Sequence, residues 1–177
     1  NRNVLISNRG MEKNYRIHEI LAARSYLKTF SPITFIYPLF DREYHRSIKN
    51  CMDKRDTDVG LLKKQECYEL YSRAILVVSI PISDSSPRSV YEAIFCGAPV
   101  ATVKSDWVDN LPRSMRDRVI IVDLTKPNWF SLAIDTALDM AITSFEPCRD
   151  SLCLFDQFAV ATNIASTFYG SSLKKDL

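Results

Sequence analysis

The chain predicts an α/β fold, one doubly wound parallel sheet of about six strands forming a single domain. Three observations predict it. Short apolar runs of strand length alternate with stretches of helical period along the chain. At 177 residues, with 46% hydrophobic and 25% charged residues, the composition is globular and the mass suffices for a real core. No internal repeat, low-complexity segment or linker divides it.

Val4-Leu5-Ile6 reads as the first strand, and Ile17, Ile20, Leu21 and the stretch 24–27 mark a helix behind it. Residues 33–37 are a second strand, followed by a weaker helix over 41–52 and a short third strand around Val59. Cys67, Leu70, Tyr71 and Ala74 recur at helical spacing after Lys64. A fourth strand over 75–80, a helix over 87–96 and a fifth strand over 99–103 follow. Val119-Ile120-Ile121-Val122 is the sixth strand; Phe130, Ile134, Ala137, Leu138 and Ala141 define the next helix. Beyond Pro147, a last helix over 155–169 ends at Gly170.

Several function classes fall away on composition. A formal charge of +2 with no Lys/Arg block argues against a nucleic-acid partner, and Lys174-Lys175 reads as a solvated tail. No apolar stretch approaches the ~18 residues a membrane span needs, and no secretory signal is read. Cys51, Cys67, Cys96, Cys148 and Cys153 form an odd set without CxxC spacing, which predicts a reducing, cytoplasmic setting and packing roles for the thiols. His18 and His45 are too few and too far apart for a zinc site or a Ser/His/Asp triad. With four glycines, no GxGxxG or Walker loop can be assembled, so a nucleotide would be held by another device.

That device is the segment 83–100. The apolar run ending at Ile80 gives way to Ser83-Asp84-Ser85-Ser86, and Pro87 then opens a helix that carries Glu92 and stops at Gly97. Ser86 and Pro87 suit the cap and first position of a helix, which leaves the amides of Arg88 and Ser89 free to face an anion. Ligands of open α/β sheets sit beyond the carboxyl ends of the strands, where Asp84 lies. Glu92 is five residues past Pro87, roughly 7–8 Å along the helix axis at the usual rise. This is about the reach from a diphosphate to its ribose, and a carboxylate can accept from both hydroxyls of a vicinal diol. Asp84 could receive a sugar on the other side. Taken singly, Asp84 reads equally as a turn residue, Glu92 as an exposed helix residue and Ser85-Ser86-Pro87 as a bare helix start.

Together the residues resemble a known family. Tyr71-Ser72-Arg73-Ala74-Ile75-Leu76-Val77-Val78-Ser79, then Asp84-x-x-Pro87-x-Ser89-x-x-Glu92-Ala93-x-x-x-Gly97-x-Pro99-Val100, is similar to the donor-binding, C-terminal domain of GT-B glycosyltransferases of the retaining, family-four type. That type carries an acid, seven residues and a Glu, here Asp84 to Glu92, although its first acid is more often Glu and Ser85 replaces a frequent Gly. The stretch 6–15 resembles the family as well, with Arg9 in the place of its diphosphate-binding Arg; Lys13 is only adjacent to the place of its Lys, where Asn14 and Tyr15 stand.

The resemblance implies a Rossmann-like half of a GT-B fold and transfer of a sugar, with retention and without a metal, from a nucleotide-diphosphate sugar that serves as substrate. It implies no separate cofactor. Asp84 and Arg9 would be catalytic; Glu92, Ser86, Pro87, Arg88, Ser89 and Lys13 would bind donor, with Gly60, Leu61 and Leu62 near the nucleobase. Lys104 and Asp106 are further crevice candidates. The acceptor, a glycan or lipid, and any peripheral membrane contact would come through an N-terminal domain expected to be missing from this chain. Alone, the chain would then be inactive. Two other readings stay open: a GT-B relative with different chemistry, such as a sugar-nucleotide epimerase or a phosphorylase, and a non-catalytic assembly or nucleotide-binding module.

Overall fold

The structure is a computed structural model that describes residues 2–29 and 31–141, together with 143, 145, 146, 154, 158, 161, 162 and 166. Most of the expected last helix over 155–169 lies outside the described residues, as do Cys148 and Cys153.

Six parallel strands form one sheet: β1 (Val4–Ser7), β2 (Ile33–Ile36), β3 (Thr57–Gly60), β4 (Ala74–Ser79), β5 (Val100–Thr102) and β6 (Val119–Ile121), in the order β3-β2-β1-β4-β5-β6. The helices are α1 (Ile17–Ala23), α2 (Arg42–Cys51), α3 (Lys64–Ser72), α4 (Arg88–Phe95), α5 (Asp106–Asp109), α6 (Arg113–Arg116) and α7 (Trp129–Ala141), and a 3-10 turn, Lys13–Tyr15, precedes α1. The six strands match those expected, within a residue or two at each end. The short helices α5 and α6 do not match an expected element, because four-residue turns are too brief to show a period.

Alternate side chains of the central strands feed two cores. Leu5, Phe35, Leu76 and Val78 pack on one face with Ile17, Ile20 and Leu21 of α1, Ile48 of α2 and Phe130 of α7. Ile6, Val77 and Val100 pack on the other with Tyr71 of α3, Val90 and Ile94 of α4, Trp107 of α5 and Met115 of α6. Coverage on both sides explains why β4 reads as an unbroken apolar run. The edge strand β3, Thr57–Gly60, is polar and partly exposed, which suits a strand with one unpaired side.

The strand order turns round between β1 and β4. Crossovers from β1 run one way through β2 to β3, and those from β4 run the other way through β5 to β6. The loops leaving β1 and β4 therefore part and open a crevice at the carboxyl edge of the sheet, where such folds bind ligands. The α4 helix ends at that geometry's base: Gly97 has φ +78°, and the amides of Gly97 and Ala98 bond back to the carbonyls of Ile94 and Ala93. A left-handed stop of this kind suits glycine and returns the chain at once into β5.

Candidate functional site

A cleft of about 280 Å³ occupies the switch point. Its floor comes from the β1 loop (Asn8, Arg9), its far wall from the ends of β2 and β3 (Tyr37, Gly60, Leu61, Leu62), and its near wall from α3 and α4 (Lys64, Cys67, Tyr71, Ser89, Glu92). Of the residues expected at a donor site, Arg9, Gly60, Leu61, Leu62, Ser89 and Glu92 are brought together here. Asp84 joins them by pairing with Arg9.

Arg9 is the centre of the polar network. Its Nη1 donates to Ser89 Oγ at 2.8 Å, its Nη2 pairs with the Asp84 carboxylate, and its guanidinium carbon lies 4.6 Å from the centroid of the Tyr15 ring. Tyr15 thus sets the guanidinium plane, a contact that a lysine would not reproduce. The buried Arg9 Nε has no hydrogen-bond partner among the described residues. Asn8 is buried beside it and donates through Nδ2 to Ser89 O at 3.1 Å, fastening the β1 loop to the first turn of α4.

Glu92 is buried on α4 and is not the solvent-facing helix residue that its position alone would also allow. Its carboxylate pairs with the ammonium of Lys64, whose side chain is 68% exposed. Around it, burial raises the pKa of the Cys67 thiol, and burial also pushes the Tyr71 hydroxyl well above its ordinary range against an opposing hydrogen bond from Asn8. Neither group carries charge near neutrality; the acidic and basic side chains that line the cleft are Arg9, Glu12, Lys64 and Glu92, with Asp84 joined through Arg9.

The entry to α4 differs in detail from the expected cap. The helix starts at Arg88 with Pro87 as its cap residue, and Ser86 lies one position outside. Ser86 O accepts from the Arg88 amide at 2.9 Å, so that amide is not free for an anion; the Ser86 amide in turn donates to Asp84 Oδ1 at 3.2 Å. The Ser-Pro pair builds a turn that orients Asp84 before the helix begins. The side chain of Arg88 is exposed.

Lys13 lies elsewhere. It is exposed and lines a separate depression with Phe40, Asp41 and Tyr44. Asn14 and Tyr15 hold the place instead: the Asn14 side chain donates to Ser83 O at 3.1 Å, and the Ile82 amide donates to Asn14 O at 2.7 Å, tying the two loops of the crevice together. Lys104 and Asp106 line a third depression on the other side of Asp84, with Tyr91, Trp107 and Asn110.

Behind the far wall, Tyr37 and His45 meet Asp58. Tyr37 donates to Asp58 Oδ1 at 2.5 Å, and Lys49 Nζ lies 3.0 Å and His45 Nε2 3.3 Å from Oδ2. Desolvation would raise the Asp58 pKa, but the bonds from Tyr37, Lys49 and His45 together hold it below the ordinary carboxylate value. His45 is thus tied into a network, whereas His18 is an exposed helix residue whose Nδ1 lies 2.9 Å from Tyr44 OH. Among the described residues, no group of three or more His, Cys, Asp or Glu is arranged to hold a metal ion.

Lys64 and Asn8 are among the cleft residues that escaped the sequence reading. Lys64 carries a signal in retrospect: a lysine in the first turn of a helix opposes the helix dipole, and such local conflicts mark functional positions. Asn8 carries none, since an Asn after a strand reads as turn chemistry.

No protein-family profile matches the chain, and no curated protein matches it in sequence. Solved structures do match. Over 94% of this chain and 45% of theirs, the coordinates superpose on sucrose-phosphate synthase from Thermosynechococcus elongatus with a TM-score of 0.72 at 17% identity. The structural neighbours are GT-B glycosyltransferases. They include AviGT4, a glycosyltransferase involved in avilamycin A biosynthesis (TM-score 0.65, 15% identity, 95% of this chain and 51% of that one), and Anabaena HepE in complex with UDP-glucose (TM-score 0.65, 14% identity, 93% and 49%). The chain spans about half the length of these three proteins. At such identities the likeness is one of fold, the Rossmann-like α/β fold expected.

Proposed function

We propose that this chain is the donor-binding domain of a retaining, metal-independent GT-B glycosyltransferase, and that the cleft holds a nucleotide-diphosphate sugar. The observation that carries the reading is the placement of Arg9, Asp84 and Glu92 around the switch point, a cation between two acids at the carboxyl edge of β1 and β4. The nucleobase lies over Gly60, Leu61 and Leu62, the ribose diol on Glu92, the diphosphate on Arg9, and the sugar beside Asp84. HepE, a neighbour in fold, is seen with UDP-glucose and with UDP, which supports a uridine nucleotide as the first ligand to try.

Within that reading, this chain's residues bind and polarise. The guanidinium of Arg9 grips phosphate oxygens and offsets the charge that grows on the diphosphate as the bond to the anomeric carbon breaks. The network to Ser89 and Tyr15 pre-sets its orientation, so little reorganisation accompanies the reaction. The acceptor, a glycan or lipid, is met by a second domain outside this chain. Saturation-transfer NMR with UDP-, GDP- and ADP-sugars tests the reading on the folded protein. Binding of at least one is expected, with affinity lost in Glu92→Ala; no binding by any of them overturns it.

A further inference from the structure

Among the described residues, Glu92 and Lys64 form the ion pair whose partners differ most in exposure. The Glu92 side chain is 6% exposed and that of Lys64 is 68% exposed. The carboxylate is fixed by burial on α4, while the ammonium reaches it from the rim of the cleft, at the first position of α3. Little holds Lys64 there besides Glu92. The Tyr68 ring is centred 6.0 Å from Nζ, and the dipole of α3 disfavours a cation at this end. A buried carboxylate without a partner is costly, whereas an exposed ammonium released to water is not.

We propose that Lys64 is a specificity-determining placeholder at Glu92: it satisfies the carboxylate in the empty cleft and is displaced from it by the vicinal diol of the incoming ribose. This rests on the reading of the cleft as a nucleotide-sugar site. The diol presents two O–H donors to the same carboxylate whose Oε1 the ammonium holds, so the two partners compete. A nucleotide lacking both hydroxyls leaves the Lys64–Glu92 pair intact and gives up only what the diol gains over the ammonium. The lysine thereby narrows the difference between ribose and hydroxyl-free sugars while leaving Glu92 with a partner in every state. The freed ammonium stays on the rim of a cleft that also contains Arg9, where a diphosphate is to bind.

The sign of the effect is the test. Calorimetry at pH 8 compares wild type with Lys64→Met, using whichever of UDP, GDP and ADP binds wild type best and its 2′,3′-dideoxy analogue. Because the diphosphate is common to both ligands, the ratio of their dissociation constants cancels the charge lost by the substitution. Competition predicts that the preference for ribose rises about tenfold in Lys64→Met, the worth of one charge-assisted hydrogen bond no longer offset by a lost ion pair. A ratio that stays constant or falls, with the ribose form still bound by wild type, overturns the inference and leaves the donor site standing. Failure of wild type to bind any of the three nucleotides overturns the donor reading and the inference with it. Lys64→Ala, measured in parallel with thermal melting of each variant, gives the same ratio if Met disturbs the fold.

Discussion

Arg9 earns its place in the site by geometry that a charge count does not show. Ser89, Asp84 and the Tyr15 ring each take one part of the guanidinium, and its Nε finds no partner among the described residues. Removing it strips the cleft floor of its fixed cation. Arg9→Ala is expected to weaken a nucleoside diphosphate by ten- to a hundredfold, about the worth of one charged hydrogen bond, and to leave the parent nucleoside within about twofold. Calorimetry with both ligands checks it, and an equal loss for both would assign Arg9 to the base or ribose instead. Arg9, Asp84 and Glu92 were all legible because their chemistry requires charge at fixed spacing along one segment or just after one strand. Lys64 and Asn8 were not, since their roles arise from α3 and β1 being carried to the same crevice by the sheet order, which no local spacing records.

Elements were legible where a period runs long enough. The strands and α2, α3, α4 and α7 follow from apolar recurrence, while α5 and α6 are single turns and pass unseen. The entry to α4 shows a second limit. Ser86-Pro87 has the composition of a cap and first position, yet Pro87 at φ −79° and ψ 78° stays outside the helix and Ser86 O captures the Arg88 amide. Local composition named the turn and missed its phase by one residue. A clip between elements is silent for the same reason. The Asp56 side chain, fully buried before β3, accepts from Arg24 behind α1 and from the amides of Ile33 and Asp53, joining three elements. Asp56→Ala leaves those donors without their acceptor and is expected to destabilise the fold by about 3 kcal/mol or more. Denaturant unfolding measures it; a loss within 0.5 kcal/mol, roughly the range of surface substitutions, would contradict the clip.

At the scale of the whole molecule, one pattern organises both stability and function: a doubly wound sheet whose order reverses between β1 and β4. The reversal places the crevice, and the far wall of that crevice rests on the Tyr37–His45–Asp58–Lys49 network at the β3 edge. Asp58 has a lowered pKa in the folded chain, so its contribution is fully present above the unfolded value near ~4 and is lost as pH falls through the folded value. Asp53, drawn down to about 2 by the hydrogen bonds from Arg55, adds in the same direction. Thermal melting from pH 6 to pH 2 is expected to show stability falling below about pH 4, with a shallower fall in Asp58→Asn. An identical profile in the variant would remove Asp58 from the account.

The central claim is that a nucleotide diphosphate lies across the switch point, from the end of β3 to the first turn of α4. Mapping amide chemical shifts on titrating UDP-glucose into the protein tests it most directly, with GDP- and ADP-glucose as alternates. Shifts are expected to concentrate at Arg9, Gly60, Leu62, Lys64, Ser89 and Glu92, with Lys13 and the edge marked by the exposed Ile121 of β6 and Leu132 of α7 unmoved. Saturable shifts centred on that edge or on the depression beside Lys13, with the switch-point residues silent, would contradict it.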